Sequence, residues 1–233
     1  MKRPTGIHER CADGEEGAQA RRMTLSRFMA DQLRKPSGWF GSAVMTRMLG
    51  IASRRVIRVT IDLLRPDPED AVLDIGFGGG DSVLLLGQRT PRGSVTGVDF
   101  SPEMVAETAR RVGKAPVRSR VRLCVGDASN LPFQPKSFDR ILAVNTAYFW
   151  PDLTGVFTEV GRVMKPRGRF AVAIRPASQL RKVPYAKHGF NLYGADQLTT
   201  AMEACGMRVV LADHVDEGRR LSQIVVIGER GAA

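Results

Sequence analysis

The chain has 233 residues, of which 43% are hydrophobic, and its formal net charge is +11 at pH 7. This length fits one domain with short additions and is sufficient for a full hydrophobic core. No apolar run approaches the roughly 18 residues that a membrane-spanning helix needs, and no apolar signal-peptide core follows Met1–Gly6. The composition therefore predicts a soluble globular protein without a transmembrane segment.

The three cysteines, Cys11, Cys124 and Cys205, are scattered and form no C-x-x-C pair. An odd and scattered set predicts reduced thiols in a cytoplasmic protein, and neither a disulfide framework nor a zinc site. The positive charge would favour an anionic partner such as nucleic acid, acidic lipid, or a carboxylated or phosphorylated substrate. A surface that is merely basic explains the charge as well, because the sequence has no long run of adjacent basic residues.

The first third of the chain is read as a tail followed by helices. Residues 1–20 are polar and mixed in charge, which predicts a loose or disordered tail. Apolar residues at helical spacing predict one helix from Arg22 to Leu33 and a second from about Ser42 to Leu64. We therefore expect a helical cap over 21–66 and one domain over 67–233. The basic helices either lie on a membrane surface or pack on the sheet edge, as a mobile lid or a permanent layer over a cleft.

A glycine-rich turn between a strand and a helix organises the rest of the chain. The apolar run Ala71–Ile75 predicts a buried parallel strand, and the glycines after it lead into an apolar helical pattern. This unit begins nucleotide-binding α/β folds, in which glycines let the backbone approach the ligand. A dinucleotide fingerprint would need a glycine at position 81, which is Asp81. The observed spacing is D-x-G-x-G-x-G, beginning at Asp74.

Two further predicted strands lead into acidic residues. Gly93–Asp99 predicts the second strand, and an acid at its end can accept hydrogen bonds from both ribose hydroxyls of a nucleotide. Phe100 follows, placed to lie against a base, and Ser101–Pro102 predicts the start of the next helix. Val121–Val125 predicts a third strand, after which Asp127 either binds a ligand or caps a loop.

The remaining pattern predicts the fold class. Strands are expected from Arg140 to about Asn145 and from Arg169 to Ile174, with a helix from Asp152 to Met164 between them. Gly206–Leu211 and Leu221–Ile227 have no helix between them, so they must pair antiparallel. We therefore expect an α/β fold with a doubly wound, seven-stranded, mainly parallel sheet, a C-terminal antiparallel hairpin and N-terminal helices.

Several segments, in order, resemble motifs of the class I S-adenosylmethionine (SAM) methyltransferases, nearest the ubiquinone/menaquinone-biosynthesis type (methyltransferase type 11). The resemblance covers about Val72 to Ile227. Its segments are D-x-G-x-G-x-G over 74–80, D-x-S-x-x-M over Asp99–Met104, G-D-A-x-x-L-P-F over Gly126–Phe133, S-F-D over Ser137–Asp139, and the turn Lys165–Gly168, which departs mildly from the family at Met164 and Arg167.

The resemblance implies SAM as the cofactor. Asp127 would accept a hydrogen bond from the adenine amine while the Ala128 N–H donates to the adenine ring. The implied cofactor-binding residues are Asp74, Gly76, Gly78, Gly80, Asp99, Phe100, Met104, Asp127, Ala128 and Asn145. Methyl transfer from a sulfonium is an in-line displacement, so we expect no metal and no universal catalytic residue.

The candidate catalytic residues are Tyr148 and His188. Asn145 and Tyr148 have the spacing of the N-P-P-Y motif of amino-group methyltransferases, although both prolines are missing. His188 is either a general base, because imidazole titrates near neutral pH, or a solvated loop histidine. Aromatic residues are expected to form a wall for a planar substrate or to belong to the core. The substrate-binding candidates are Trp39, Phe149, Trp150, Tyr185 and Tyr193.

The expected methyl acceptor is a small molecule, and the basic charge leaves an anionic one open. A nucleic-acid or protein methyltransferase is an alternative that only the charge supports, since no RNA-binding module or aromatic-basic stripe is present. A SAM-binding protein without catalysis would retain the same cofactor motifs. Nucleic acid is therefore not the expected partner, and peripheral contact with a membrane stays open through the N-terminal helices.

Overall fold

The structure, a computed structural model, describes residues 53–187, 189–218 and 221–232. Helix α1 spans 53–64. The helices after it are α2 (Asp81–Arg89), α3 (Pro102–Val112), α4 (Leu153–Val163), the short α5 (Ala177–Leu180) and α6 (Ala195–Ala204). The strands are β1 (Ala71–Ile75), β2 (Ser94–Asp99), β3 (Val121–Val125), β4 (Phe138–Val144), β5 (Met164–Ile174), β6 (Met207–Gly218) and β7 (Leu221–Arg230). Short 3-10 turns occur at Arg118–Arg120, Ala147–Phe149 and Pro184–Lys187.

All seven strands form one sheet, in the order β3-β2-β1-β4-β5-β7-β6. Strands β1 to β5 are parallel to one another, while β7 is antiparallel to both β5 and β6. The predicted fold class is thereby confirmed, including the C-terminal hairpin. Strands β1 and β4 are neighbours although two strands lie between them in sequence, so the chain reverses its direction across the sheet there. Ligands bind at such a switch point in doubly wound folds.

Helices cover both faces of the sheet, and residues of β1 alternate between the two cores. Val72 packs with apolar residues of α1, α2 and α3, whereas Leu73 packs with those of α4 and α6. Both side chains are fully buried, as expected for a central parallel strand covered on each side. Helix α1 is a fixed part of this packing, because Val56, Ile61 and Leu64 have no exposed surface.

The predicted cap over 21–66 is described only from residue 53 onward, so its earlier helix and the predicted tail over 1–20 lie outside the described residues. Whether the cap moves as a lid stays a prediction. No helix of the described part of the chain is long and apolar enough to cross a bilayer.

The predicted turn at Lys165–Gly168 is part of β5 instead. Between the pairs Phe138↔Met164 and Arg140↔Arg169 the partner strand β4 advances two residues while β5 advances five. The extra residues form a bulge in which Arg167 adopts a φ of 62°. The chain does turn at these residues, as predicted, but β5 pairs with β4 both before and after the bulge.

The hairpin is also longer than the apolar runs predicted. The ladder between β6 and β7 continues through the charged residues to the pair Gly218↔Leu221, beyond the predicted strand end at Leu211. An antiparallel edge pair needs no continuous apolar pattern, because one face is free to be polar.

Candidate functional site

A cavity of about 400 Å³ lies at the carboxyl ends of the parallel strands. It is lined by the residues that follow β1, β2, β3, β4 and β5, together with Ser53 and Ile57 of α1. Parallel strands place all these loops at one edge of the sheet, so the cavity forms where the sequence order predicted a nucleotide site. Every predicted cofactor residue except Gly80 lines it.

The glycine-rich turn is conformationally specific at Gly76 and Gly78. Both have positive φ, 74° and 48°, which side chains other than hydrogen rarely tolerate. A Cβ on Gly76 would lie 2.2 Å from Oγ1 of Thr146, so Gly76 permits close packing against the end of β4. A Cβ on Gly78 would meet nothing within 4 Å, because Gly78 borders the open cavity. Gly76 therefore serves packing and Gly78 leaves room for a ligand.

Replacing Gly76 by alanine is expected to lower the free energy of unfolding by about 3 kcal/mol, because strain of about 1–2 kcal/mol adds to overpacking of about 1–3 kcal/mol. Gly206→Ala is the matched control, since its φ is 76° but its Cβ would meet nothing within 4 Å. Urea unfolding of both variants measures the difference. If both variants lose the same free energy of unfolding, the contact between Gly76 and Thr146 does not affect stability.

Asp99, at the end of β2, is held in place by backbone donors. Its Oδ2 accepts from the Gly78 N–H at 2.9 Å, and its Oδ1 accepts from the Ser101 N–H at 3.0 Å. Burial raises the pKa of the Asp99 carboxyl, and these N–H groups partly oppose that rise. A carboxylate can accept about four hydrogen bonds, and the backbone N–H groups of Gly78, Ser101 and Phe100 account for three of them. The carboxylate is thus fixed against the glycine-rich turn with acceptor capacity to spare.

Asp74, near the end of β1, is the most isolated acid in the cavity wall. It is 1% exposed, and its Oδ2 has no hydrogen-bond partner among the described residues. Burial raises the pKa of the Asp74 carboxyl to about 7, the Ser82 hydroxyl lowers it, and the charge of Asp99 raises it further. A buried acceptor without a donor is costly, so this position suits a cationic or N–H group of a ligand.

The residues after β3 and β2 form the other end of the cavity. Asp127 is exposed, and its Oδ1 accepts from both the N–H and the hydroxyl of Ser129 at 2.8 Å. The loop-capping interpretation of Asp127 is therefore correct, while its second oxygen is left for a ligand. Ala128 and Met104 are buried in the cavity wall, and the Phe100 ring is 55% exposed beside it.

Tyr148 connects the ends of β4 and β5. Its hydroxyl donates to Oδ1 of Asn145 at 2.9 Å and accepts from the backbone N–H of Arg175. Asn145 has a φ of 55°, and its N–H donates to the Ala173 carbonyl at 2.8 Å. The ring of Tyr148 is 4% exposed and stacks on Phe190, with centroids 5.6 Å apart. The hydroxyl of this candidate catalytic residue therefore stabilises the structure by joining the ends of the two strands.

Replacing Tyr148 by phenylalanine is expected to lower the free energy of unfolding by about 1–3 kcal/mol, because two partly buried polar groups lose their partner. Tyr193→Phe is the control. The Tyr193 hydroxyl donates to the Trp150 carbonyl at 2.6 Å, but Nδ2 of Asn191 also donates to that carbonyl. Thermal unfolding should show a larger loss of stability for Tyr148→Phe than for Tyr193→Phe. A larger loss for Tyr193→Phe would show that the Tyr148 hydroxyl does not connect the two strand ends.

The structure brings only some of the substrate-binding candidates to the cavity. Phe149 and Trp150 line it, although Trp150 is also part of the core below. Tyr193 packs against that core and is not among the lining residues. Trp39 and His188 lie outside the described residues, as does the side chain of Tyr185.

The lining residues that sequence reasoning missed include Arg175, Leu180 and Phe190, which all come from the segment after β5. The segment from 175 to 193 shows no periodicity, so pattern alone gave these residues no role. Arg175 directly follows β5, and the rule that ligands lie at the carboxyl ends of parallel strands would have identified it.

Comparison with known proteins agrees with this architecture. A family model described as a methyltransferase domain matches residues 72–168. A demethylmenaquinone methyltransferase of Symbiobacterium thermophilum is 34% identical over 129 residues, which cover 54% of this chain and 49% of that protein. The chain therefore spans about half the length of that curated relative.

Two solved structures share the fold. A SAM-dependent methyltransferase from Aquifex aeolicus matches with a TM-score of 0.69 and 20% identity, over 80% of this chain and 97% of that one. The [4+2]-cyclase SpnF matches with a TM-score of 0.67 and 17% identity, over 78% of this chain and 82% of that one. Over residues 72–168 the chain matches a methyltransferase domain, in agreement with the resemblance of its motifs to those of the class I SAM-dependent methyltransferases.

Proposed function

We propose that the chain transfers the methyl group of SAM to a small molecule, by in-line displacement and without a metal. The observation that carries the proposal is the Asp99 carboxylate, fixed at a strand end by the Gly78 and Ser101 N–H groups with free acceptor capacity towards a cavity. A carboxylate so placed suits the paired hydroxyls of a ribose.

The residues present fit the parts of SAM. Asp99 would hold the ribose, and the unpartnered oxygen of Asp74 would receive the ammonium of the methionine part. Asp127 and the Ala128 N–H would bind the adenine edge, with Phe100 and Met104 on its faces. The open side of Gly78 leaves space for the backbone to approach. These roles, and those of the remaining candidates, are proposals for this chain.

When bound, SAM supplies a methyl group on a positively charged sulfur, which leaves as a neutral thioether. The chain's own contribution is therefore to hold an acceptor in line and to exclude water. Tyr148, Phe149 and Trp150 line the cavity after β4, next to the turn that would hold the methionine part. Their aromatic surface supports a small, partly apolar acceptor rather than a nucleic acid or a protein.

Binding and turnover have to be tested separately, because a fold shared with a cyclase does not by itself determine the reaction. Calorimetry should show binding of SAM and of S-adenosylhomocysteine (SAH), and no binding of NAD. Tight NAD binding would contradict the cofactor assignment.

Turnover is tested with radiolabelled SAM and the small-molecule, RNA and protein fractions of a bacterial extract. Label is expected in the small-molecule fraction, with and without EDTA. Label only in RNA or protein would reject the acceptor class, a requirement for a metal would reject the metal-free reaction, and binding without any label would support a non-catalytic protein.

A further inference from the structure

Arg175 occupies a defined place in the cavity wall. It follows the last residue of β5, Ile174, and its backbone N–H donates to the Tyr148 hydroxyl. The next residue is Pro176, which restricts the conformations that Arg175 can adopt. The backbone of Arg175 is therefore fixed on both sides, and its side chain lines the cavity from a rigid position.

The guanidinium of Arg175 has no counterion among the described residues. Its Nε is buried and has no hydrogen-bond partner there. Two other partly buried arginines have carboxylate partners, since Arg162 pairs with Glu159 at 2.8 Å and Arg169 with Glu229 at 2.9 Å. Because a desolvated cation without a partner is unfavourable, a ligand anion would satisfy Arg175.

Aromatic rings line the same cavity as Arg175. The rings of Phe149 and Phe190 lie 5.0 Å apart and both line the cavity, and the ring of Tyr148 stacks on Phe190. Leu180 adds an aliphatic surface to the same wall. A cation beside a wall of flat apolar side chains suits a planar molecule that carries negative charge at one edge.

Arg175 lies away from the part of the cavity assigned to the nucleoside. Asp99 follows β2 and Asp127 follows β3, whereas Arg175 follows β5. Strands β1 and β4 lie between β2 and β5 in the sheet, and three spacings of about 4.8 Å separate the two strand ends by about 14 Å. The adenosine part would not reach Arg175, so its partner is either the methyl acceptor or the carboxylate of the methionine part.

We propose that Arg175 selects a planar aromatic methyl acceptor that carries a carboxylate or another anionic oxygen group. The planar guanidinium binds such a group through two parallel hydrogen bonds, which also orient the ring in the aromatic wall. This inference rests on the proposed function, and it assigns the substrate class and a specificity-determining residue to that site.

The test measures binding of 2-naphthoate and 2-naphthamide to the SAH-loaded protein by calorimetry. The two probes have the same ring system and differ in charge. The wild-type protein is expected to bind naphthoate at least about 10-fold more tightly, and Arg175→Gln should abolish this preference. Arg175→Lys should retain only part of it, because lysine keeps the charge but loses the planar fork. Arg181→Gln, an exposed arginine outside the cavity wall, is the control and should retain all of it.

If the wild-type protein does not bind SAH, the proposed function is overturned. If it binds SAH but does not prefer naphthoate to naphthamide, only this inference is overturned. Naphthoate preference that survives in Arg175→Gln would also overturn it. The remaining alternative is that Arg175 binds the cofactor carboxylate. In that case Arg175→Gln would weaken SAH but not 5′-methylthioadenosine, which lacks the amino-acid part, and the inference would be wrong.

Discussion

Replacing Asp99 by alanine is expected to weaken SAH binding at least about 100-fold, because hydrogen bonds to a charged group contribute about 1.5–3 kcal/mol each and the two ribose hydroxyls would lose theirs. The substitution also leaves the Gly78 N–H without its acceptor, so the glycine-rich turn loses its anchor. Calorimetry on the folded variant measures the loss. The SAH affinity of Asp99→Asn, which keeps one acceptor oxygen, should lie between those of Asp99→Ala and the wild type.

The pattern across ligands makes this prediction specific. Because SAH and 5′-methylthioadenosine share the ribose, Asp99→Ala should weaken both to the same extent. Asp62→Ala, which removes a half-exposed carboxylate paired with Arg89 outside the cavity wall, is the control for net charge and should change neither affinity. If Asp99→Ala bound 5′-methylthioadenosine as the wild type does, the ribose assignment would be wrong.

Much of this site was predictable because strand ends carry their chemistry in the local sequence. Asp74, Asp99 and Asp127 each lie at or beside the end of an apolar run, and the topology alone brings them to one edge. The spacing of the glycines excluded a dinucleotide fingerprint before any contact was known. These features depend on residues near one another in sequence, which is why patterns could identify them.

The side-chain contacts on the acceptor side were not predictable in this way. The Tyr148 hydroxyl meets Asn145, three residues away, but also the backbone of Arg175, 27 residues away. The stacking of Phe190 on Tyr148 depends on a segment without periodicity. Such contacts follow from how loops fold over the sheet, and sequence patterns contain no signal for them. Tyr193 matches the core alternative that the sequence left open, since it packs against the core.

Asp74 should make the ligand-free protein less stable as the pH rises from 5 to 8. Its pKa is about 7 in the folded protein and 3.8 without perturbation, so between these values the folded state holds a proton that the unfolded state has lost. The free energy of unfolding then falls by about 1.4 kcal/mol per pH unit until the pH passes the folded pKa, which amounts to about 3 kcal/mol between pH 5 and 8.

Asp74→Asn removes this titration, so its loss of stability between pH 5 and 8 should be smaller by most of that amount. Burial also raises the pKa values of Asp99 and Asp70, which contribute with the same sign and remain in both proteins. The lowered pKa values of Glu159 and Glu229 act only at lower pH. Urea unfolding at each pH, wild type against variant, isolates the contribution of Asp74.

A ligand ammonium beside Asp74 should favour its ionised form and lower its pKa. SAH affinity is therefore expected to rise with pH by up to about tenfold per unit below pH 7, with release of a proton on binding. Calorimetry in two buffers of different ionisation enthalpy measures that proton. Binding of 5′-methylthioadenosine should depend less on pH, since it has no ammonium. The same pH dependence in Asp74→Asn as in the wild type would show that the buried carboxylate is not where the amino-acid part binds.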